Sequence, residues 1–207
     1  MEGILATLTH MLYLFSKTYW KLSGWQISGP ASPLPKKLVL IAGPHTSWKD
    51  VVVGLAASTV MNLRHLRFLG KKELFAWPTG WFFRKLGGIP VDRTTSRGLV
   101  EQVVDQFKKH DAFVIGMMPE GTRKKVTRLR TGFYHIAQNA NVPIVMVGLD
   151  FAHKKIIISE PFFTTGDQEK DFAGIFSFFA PIQGRHPKSG LAGMNFRMQN
   201  KGIVHTG

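Results

Sequence analysis

The chain has 207 residues, 44% apolar and 19% charged, with 27 Lys and Arg against 13 Asp and Glu, giving a net charge of +14. That length and balance suit one globular domain with a substantial core and exclude a disordered or low-complexity protein. The absence of cysteine excludes disulfides, thiolate catalysis and cysteine-held metal, while the basic excess points to a polyanionic partner: a membrane surface, a phosphate-bearing substrate or nucleic acid.

Residues 3–16 are uncharged and mostly apolar. Ile4, Leu5, Leu8, Met11, Leu12, Phe15 and Tyr19 recur at helical spacing. The run is shorter than the ~20 residues of a spanning helix, and the acidic Glu2 does not suit a signal peptide. Residues 1–27 are therefore expected to form an amphipathic helix in a membrane interface rather than one that merely packs on the core. A Gly, Ser and Pro-rich linker follows over 28–35.

Residues 37–42 read as a buried strand, broken by Gly43 and Pro44, and 47–61 as a helix. Residues 66–69 fit a short strand. Residues 75–86, aromatic-rich and interrupted by Pro78 and Gly80, fit neither pattern. A strand is expected over 89–91. The clearest helix covers 96–109, with Leu99, Val100, Val103, Val104 and Phe107 on one face, Ser96 as its cap and Lys108 and Lys109 at its end. Strands over 112–118, 142–147 and 155–159 alternate with helices over 132–139 and 167–180. The expected fold class is α/β: a single domain over 36–183 with a largely parallel central sheet flanked by helices, preceded by the interfacial helix. Residues 184–207 are polar and expected to form a loosely ordered tail.

In open α/β sheets, sites gather at the carboxyl ends of the strands. His45 follows one strand, Arg93 another, and Glu120 to Arg123 a third, so these groups are expected on one edge. His45 and Asp50 can meet when the imidazole lies in the turn before a helix and the carboxylate in its opening. The Asp then fixes the tautomer and leaves the other ring nitrogen as a base. The competing reading is a surface His and a helix-capping Asp. Gly121 allows close backbone approach, Thr122 offers a hydroxyl, and Arg123 can grip a phosphate through two hydrogen bonds; the competing reading is an exposed turn. Lys124, Lys125, Arg128 and Arg130 extend the positive region. The other histidines show no ligand spacing, so no metal site is expected. Phosphate-binding and dinucleotide glycine motifs and the G-x-S-x-G elbow are absent.

Four blocks occur in register: H-x4-D at His45 and Asp50, G-x-I-x-x-D-R over 87–93, P-E-G-T-R over 119–123 and V-P-I-V over 142–145. In these the chain resembles the lysophospholipid/glycerolipid acyltransferase family, which includes bacterial 1-acylglycerol-3-phosphate acyltransferases. The stretch 70–74 around Lys71 is similar to a recurrent lysine-rich feature of that family. The resemblance implies transfer of a fatty acyl group from a thioester, on coenzyme A or acyl carrier protein, to a hydroxyl of a lysophospholipid or glycerol-phosphate-like acceptor, with no bound cofactor. It implies that His45 takes the hydroxyl proton and Asp50 orients it. Arg93, Glu120, Gly121, Thr122, Arg123 and Lys71 would hold the acceptor's phosphate or polar head, Glu120 by positioning Arg93, Arg123 or a substrate hydroxyl. The V-P-I-V block would support the site or line an acyl groove.

The implied position is peripheral, on the cytoplasmic side of a membrane. The implied partners are an anionic lipid surface, a lipid acceptor and acyl carrier protein, and not nucleic acid. Pro44 stands where many members have Asn, and Met117-Met118 replaces a common aromatic, which leaves acceptor and acyl-chain choice open. A non-catalytic basic module that binds anionic lipid or nucleic acid is the alternative; it explains the charge but gives the four blocks no purpose.

Overall fold

The computed structural model describes residues 2–30, 33–63, 65–91 and 98–189, and the side chains of all of these except 2–10, 12 and 71. In chain order the elements are α1 (Glu2–Ser23), β1 (Gln26–Ser28), β2 (Lys37–Gly43), α2 (Lys49–Val60), β3 (Leu66–Lys71), a 3-10 turn (Lys72–Phe75), α3 (Gly80–Lys85), β4 (Gly88–Val91), α4 (Leu99–Lys109), β5 (Phe113–Met117), α5 (Gly132–Ala140), β6 (Ile144–Asp150), β7 (Lys155–Ile158) and α6 (Gln168–Phe179). The strands form one sheet in the order β1-β7-β6-β2-β5-β3-β4. Every neighbouring pair is parallel except β6 and β7, joined by a short hairpin.

Strand β2 shows why the sheet is built this way. Its apolar run, flanked by β5 and β6, is buried on both faces, as in a central parallel strand. Val39 and Ile41 face a core filled by Val103 and Phe107 of α4, Phe133 and Ile136 of α5, and Phe172 and Phe176 of α6. Leu38 and Leu40 face the other side, with Val53 and Ala57 of α2 and the half-buried Tyr19 and Trp20 of α1. The alternation makes three layers, helices on both faces of one sheet. On the first face Asp171 accepts the Tyr134 hydroxyl at 2.8 Å and the Thr165 N–H at 2.8 Å, a buried polar tie between α5 and α6.

Helix α1 serves the core on one side and shows apolar side chains on the other. It packs against α2 and buries Ser16, while Met11, Leu14, Phe15 and Leu22 stay exposed. Among the described residues no helix is long and apolar enough to cross a membrane.

Three places differ from the expected pattern. The segment after α1 contributes the edge strand β1, paired with β7; three residues carry no periodic signal. The ambiguous stretch resolves into the 3-10 turn and α3. Helix α4 starts after Gly98, without a side-chain cap; the expected cap Ser96 lies outside the described residues. Val142, Ile144 and Val145 of the V-P-I-V block are buried in the core. Residues 184–189, expected as the start of a loose tail, touch the turn after β2, where the His186 N–H donates to the Thr46 hydroxyl. Residues 190–207 lie outside the described residues.

Candidate active site

Strands β2 and β5 are parallel neighbours with Ile41 opposite Met117. The chain therefore leaves both at the same carboxyl edge, side by side. That adjacency brings together His45 and Glu120, 75 positions apart: the His45 main-chain N–H donates to Glu120 Oε2 at 2.5 Å.

Asp50 is the second residue of α2 and fully buried. Its Oδ2 accepts the main-chain N–H groups of Thr46 and Ser47, each at 2.7 Å, and lies 3.0 Å from His45 Nδ1. Its Oδ1 is buried without a partner. A carboxylate can only accept here, so Nδ1 carries the proton and Nε2 is left as a lone pair. The helix N-terminus further favours the negative charge. Asp50 does not cap the helix: its carboxylate ties the preceding turn to the helix start and lies against the imidazole. His45 itself is partly exposed, at 14% of its side chain.

Glu120 is 3% exposed, and its Oε1 is buried with no hydrogen-bond partner among the described residues. Burial pushes its carboxyl up from 4.5 to about 7; the His45 N–H opposes the rise and the charge of Asp50 adds to it. Its partner among the described residues is thus the backbone of the His45 turn. Arg93 lies outside the described residues. Because the folded value lies above the ordinary one, the folded state binds the proton more tightly. Stability is then full at low pH and declines as pH rises from 4.5 to about 7. This group contributes as much as about 3 kcal/mol of that decline. Glu120→Gln, which cannot ionise, is expected to flatten the fall in urea-unfolding free energy between about pH 5 and 8; an unchanged slope would detach Glu120 from it.

Gly121, Thr122 and Arg123 follow in an exposed loop. Gly121 has φ +66, a conformation that favours glycine, and the Arg130 side chain lies close over it, with Nε 2.3 Å from where a Cβ would stand. Arg130 donates its main-chain N–H to the Pro119 carbonyl at 2.8 Å. Its side chain thus crosses the P-E-G-T-R loop, a placement the flanking charge run did not reveal. Thr122 Oγ1 accepts from the Lys124 N–H at 3.3 Å. Arg123, Lys124, Lys125, Arg128 and Arg130 pair with no carboxylate among the described residues. Lys71 ends β3 at the same edge of the sheet.

Sequence reasoning also missed a second imidazole–carboxylate pair. Asp150, at the end of β6, lies 2.7 Å from His153 Nδ1 and accepts the Ala152 N–H at 3.1 Å. Here the carboxylate closes the β6–β7 hairpin, and no loop of the P-E-G-T-R kind follows it. Among the described residues no three His, Asp or Glu side chains gather as metal ligands.

No curated protein sequence matches the chain at a significant level. Among solved structures, the fold is similar to the crystal structure of the 1-acyl-sn-glycerophosphate (LPA) acyltransferase PlsC from Thermotoga maritima. The TM-score is 0.51 and the identity 19%, covering 82% of this chain and 75% of that one. A family model described as Acyltransferase matches residues 27–150. That span is more than half of the chain and holds β2 with its His45 turn, β5 with its Glu120 loop, and the strands between and beside them. By that match, the chain belongs to the acyltransferase family.

Proposed function

We propose that the protein is a peripheral membrane O-acyltransferase that moves a fatty acyl group from a thioester, on coenzyme A or acyl carrier protein, to a hydroxyl of a lysophospholipid or glycerol-phosphate-like acceptor. The observation that carries the reading is the His45 imidazole, set against Asp50, on the same sheet edge as a cationic loop that pairs with no carboxylate among the described residues. In the proposed reaction, His45 Nε2 takes the acceptor's hydroxyl proton and the oxygen attacks the thioester carbonyl carbon. As the tetrahedral intermediate collapses, the C–S bond breaks and the thiolate takes the proton back from the imidazolium. The Asp50 carboxylate stabilises that imidazolium. General-base catalysis contributes ~10²–10⁴-fold; holding the acceptor's phosphate by Arg123 and its cationic neighbours supplies positioning.

Exposed apolar side chains support attachment to an anionic bilayer, proposed on its cytoplasmic side. Trp48, Val51 and Leu55 recur at helical spacing on one face at the start of α2. They are exposed, as are Phe15 and Leu14 of the neighbouring α1, and Trp77 is 93% exposed just beyond β3. Lys17 sits 4.7 Å from the centre of the Tyr13 ring. Aromatic rings beside cations suit a lipid interface.

The test is an acceptor screen with acyl-coenzyme A and acyl carrier protein donors, read by thiol release and by mass spectrometry of the product. Acylation of a phosphate-bearing lyso acceptor is the expected result. Salt-sensitive nucleic-acid binding without thiol release from any donor would overturn it in favour of a binding module.

A further inference from the structure

The stretch 182–189 lies beyond the last helix and beyond the span matched by the family model, yet it touches the turn that carries His45. The contact is made through Thr46, which is buried. Thr46 Oγ1 accepts the His186 main-chain N–H at 3.2 Å, while the Thr46 N–H donates to Asp50 Oδ2 at 2.7 Å. Gly184 presses on the same residue: a Cβ there would lie 2.8 Å from Thr46 Cγ2, 2.9 Å from its Oγ1 and 3.3 Å from Pro44 Cβ.

The stretch is tied to the core before this contact and turns back on itself after it. Ile182 is buried in the core, and the Gln183 carbonyl accepts the Phe151 N–H at 2.8 Å, just past β6. Beyond the contact, the Ser189 N–H donates to the His186 carbonyl at 2.9 Å. Backbone geometry and a missing side chain make the fit, which is why a polar composition concealed it.

We infer that residues 182–189 are a strap that positions the catalytic turn, with Thr46 and Gly184 as positioning residues. Two carboxylates hold the turn from within: Asp50 through the N–H groups of Thr46 and Ser47, and Glu120 through that of His45. The strap holds it from outside, through the Thr46 hydroxyl. It thereby fixes the peptide that donates to Asp50, and with it the direction of the imidazole. The inference rests on His45 acting as the base.

The experiment uses the full chain with Thr46→Val, Thr46→Ser, Gly184→Ala, the double variant Gly184→Ala/Thr46→Ser and His45→Ala, assayed with one acyl thioester and one acceptor. Thr46→Val keeps the shape but removes the acceptor oxygen; Thr46→Ser keeps it. The expected result is a kcat loss of roughly 10- to 100-fold for Thr46→Val and Gly184→Ala, the scale of a small misplacement. KM for both substrates is expected to stay within about twofold. Thr46→Ser should remain near the parent, and the double variant should recover part of the loss because the crowded Cγ2 is gone. Wild-type kcat in Thr46→Val and Gly184→Ala would overturn the strap, as would a loss appearing in KM instead. A kcat loss that simply follows a lowered thermal midpoint across the variants would overturn it too. An active His45→Ala would refute the base itself; an inactive one beside silent strap variants would refute the strap alone.

Discussion

Replacing His45 with Ala is expected to slow thiol release from an acyl thioester by about 10²–10⁴-fold at saturating acceptor, with folding and surface attachment unchanged. Among the described residues the hydrogen-bond partner of the ring is Asp50, and the ring is mostly buried, so a thermal midpoint measured beside the rate separates lost packing from lost chemistry. What disappears is the lone pair that accepts the hydroxyl proton. A thiol-reactive dye suits the measurement, because the protein contains no cysteine and every thiol detected comes from the donor. Turnover within about tenfold of the parent would leave no proton-transfer step for His45 to catalyse.

Asp50→Asn is expected to cost about as much by a different route, roughly 10²–10⁴-fold in kcat with acceptor KM little changed. The amide oxygen can still take the Thr46 and Ser47 N–H groups. It carries no charge, however, so the imidazolium formed in the reaction loses its counter-ion. When the amide NH2 faces the ring instead, Nδ1 becomes the lone pair and Nε2 carries the proton, which is the wrong tautomer for a base. A second signature separates this from simple unfolding. The charge of Asp50 is one of the terms that raises Glu120, so in Asp50→Asn the Glu120 carboxyl moves down. The window over which stability falls with rising pH then moves to lower pH. A variant with near-parental kcat and an unmoved stability–pH profile would strip Asp50 of both effects.

The parts of the fold that carry periodicity were legible in the sequence. The run 37–42 is apolar without alternation because β2 is covered on both faces, and α4 shows its stripe because only one side is covered. The His45–Asp50 contact was legible as well, since Pro44 forces a turn and the helix start then faces back on it. The partner of Glu120 was not legible. It depends on β2 and β5 being neighbours, which brings together residues 75 positions apart. Arg130 and Thr46 escaped for a related reason: each is placed by a glycine, Gly121 or Gly184, whose value lies in the atom it lacks. Short edge strands such as β1 offer too few residues to show a pattern at all.

Trp48 and Asp50 flank Lys49 at the opening of α2, the first 61% exposed and the second fully buried. One helical turn therefore presents an indole outward and a carboxylate inward, against the His45 ring. An exposed ring and a buried charge thus share one turn, two positions apart.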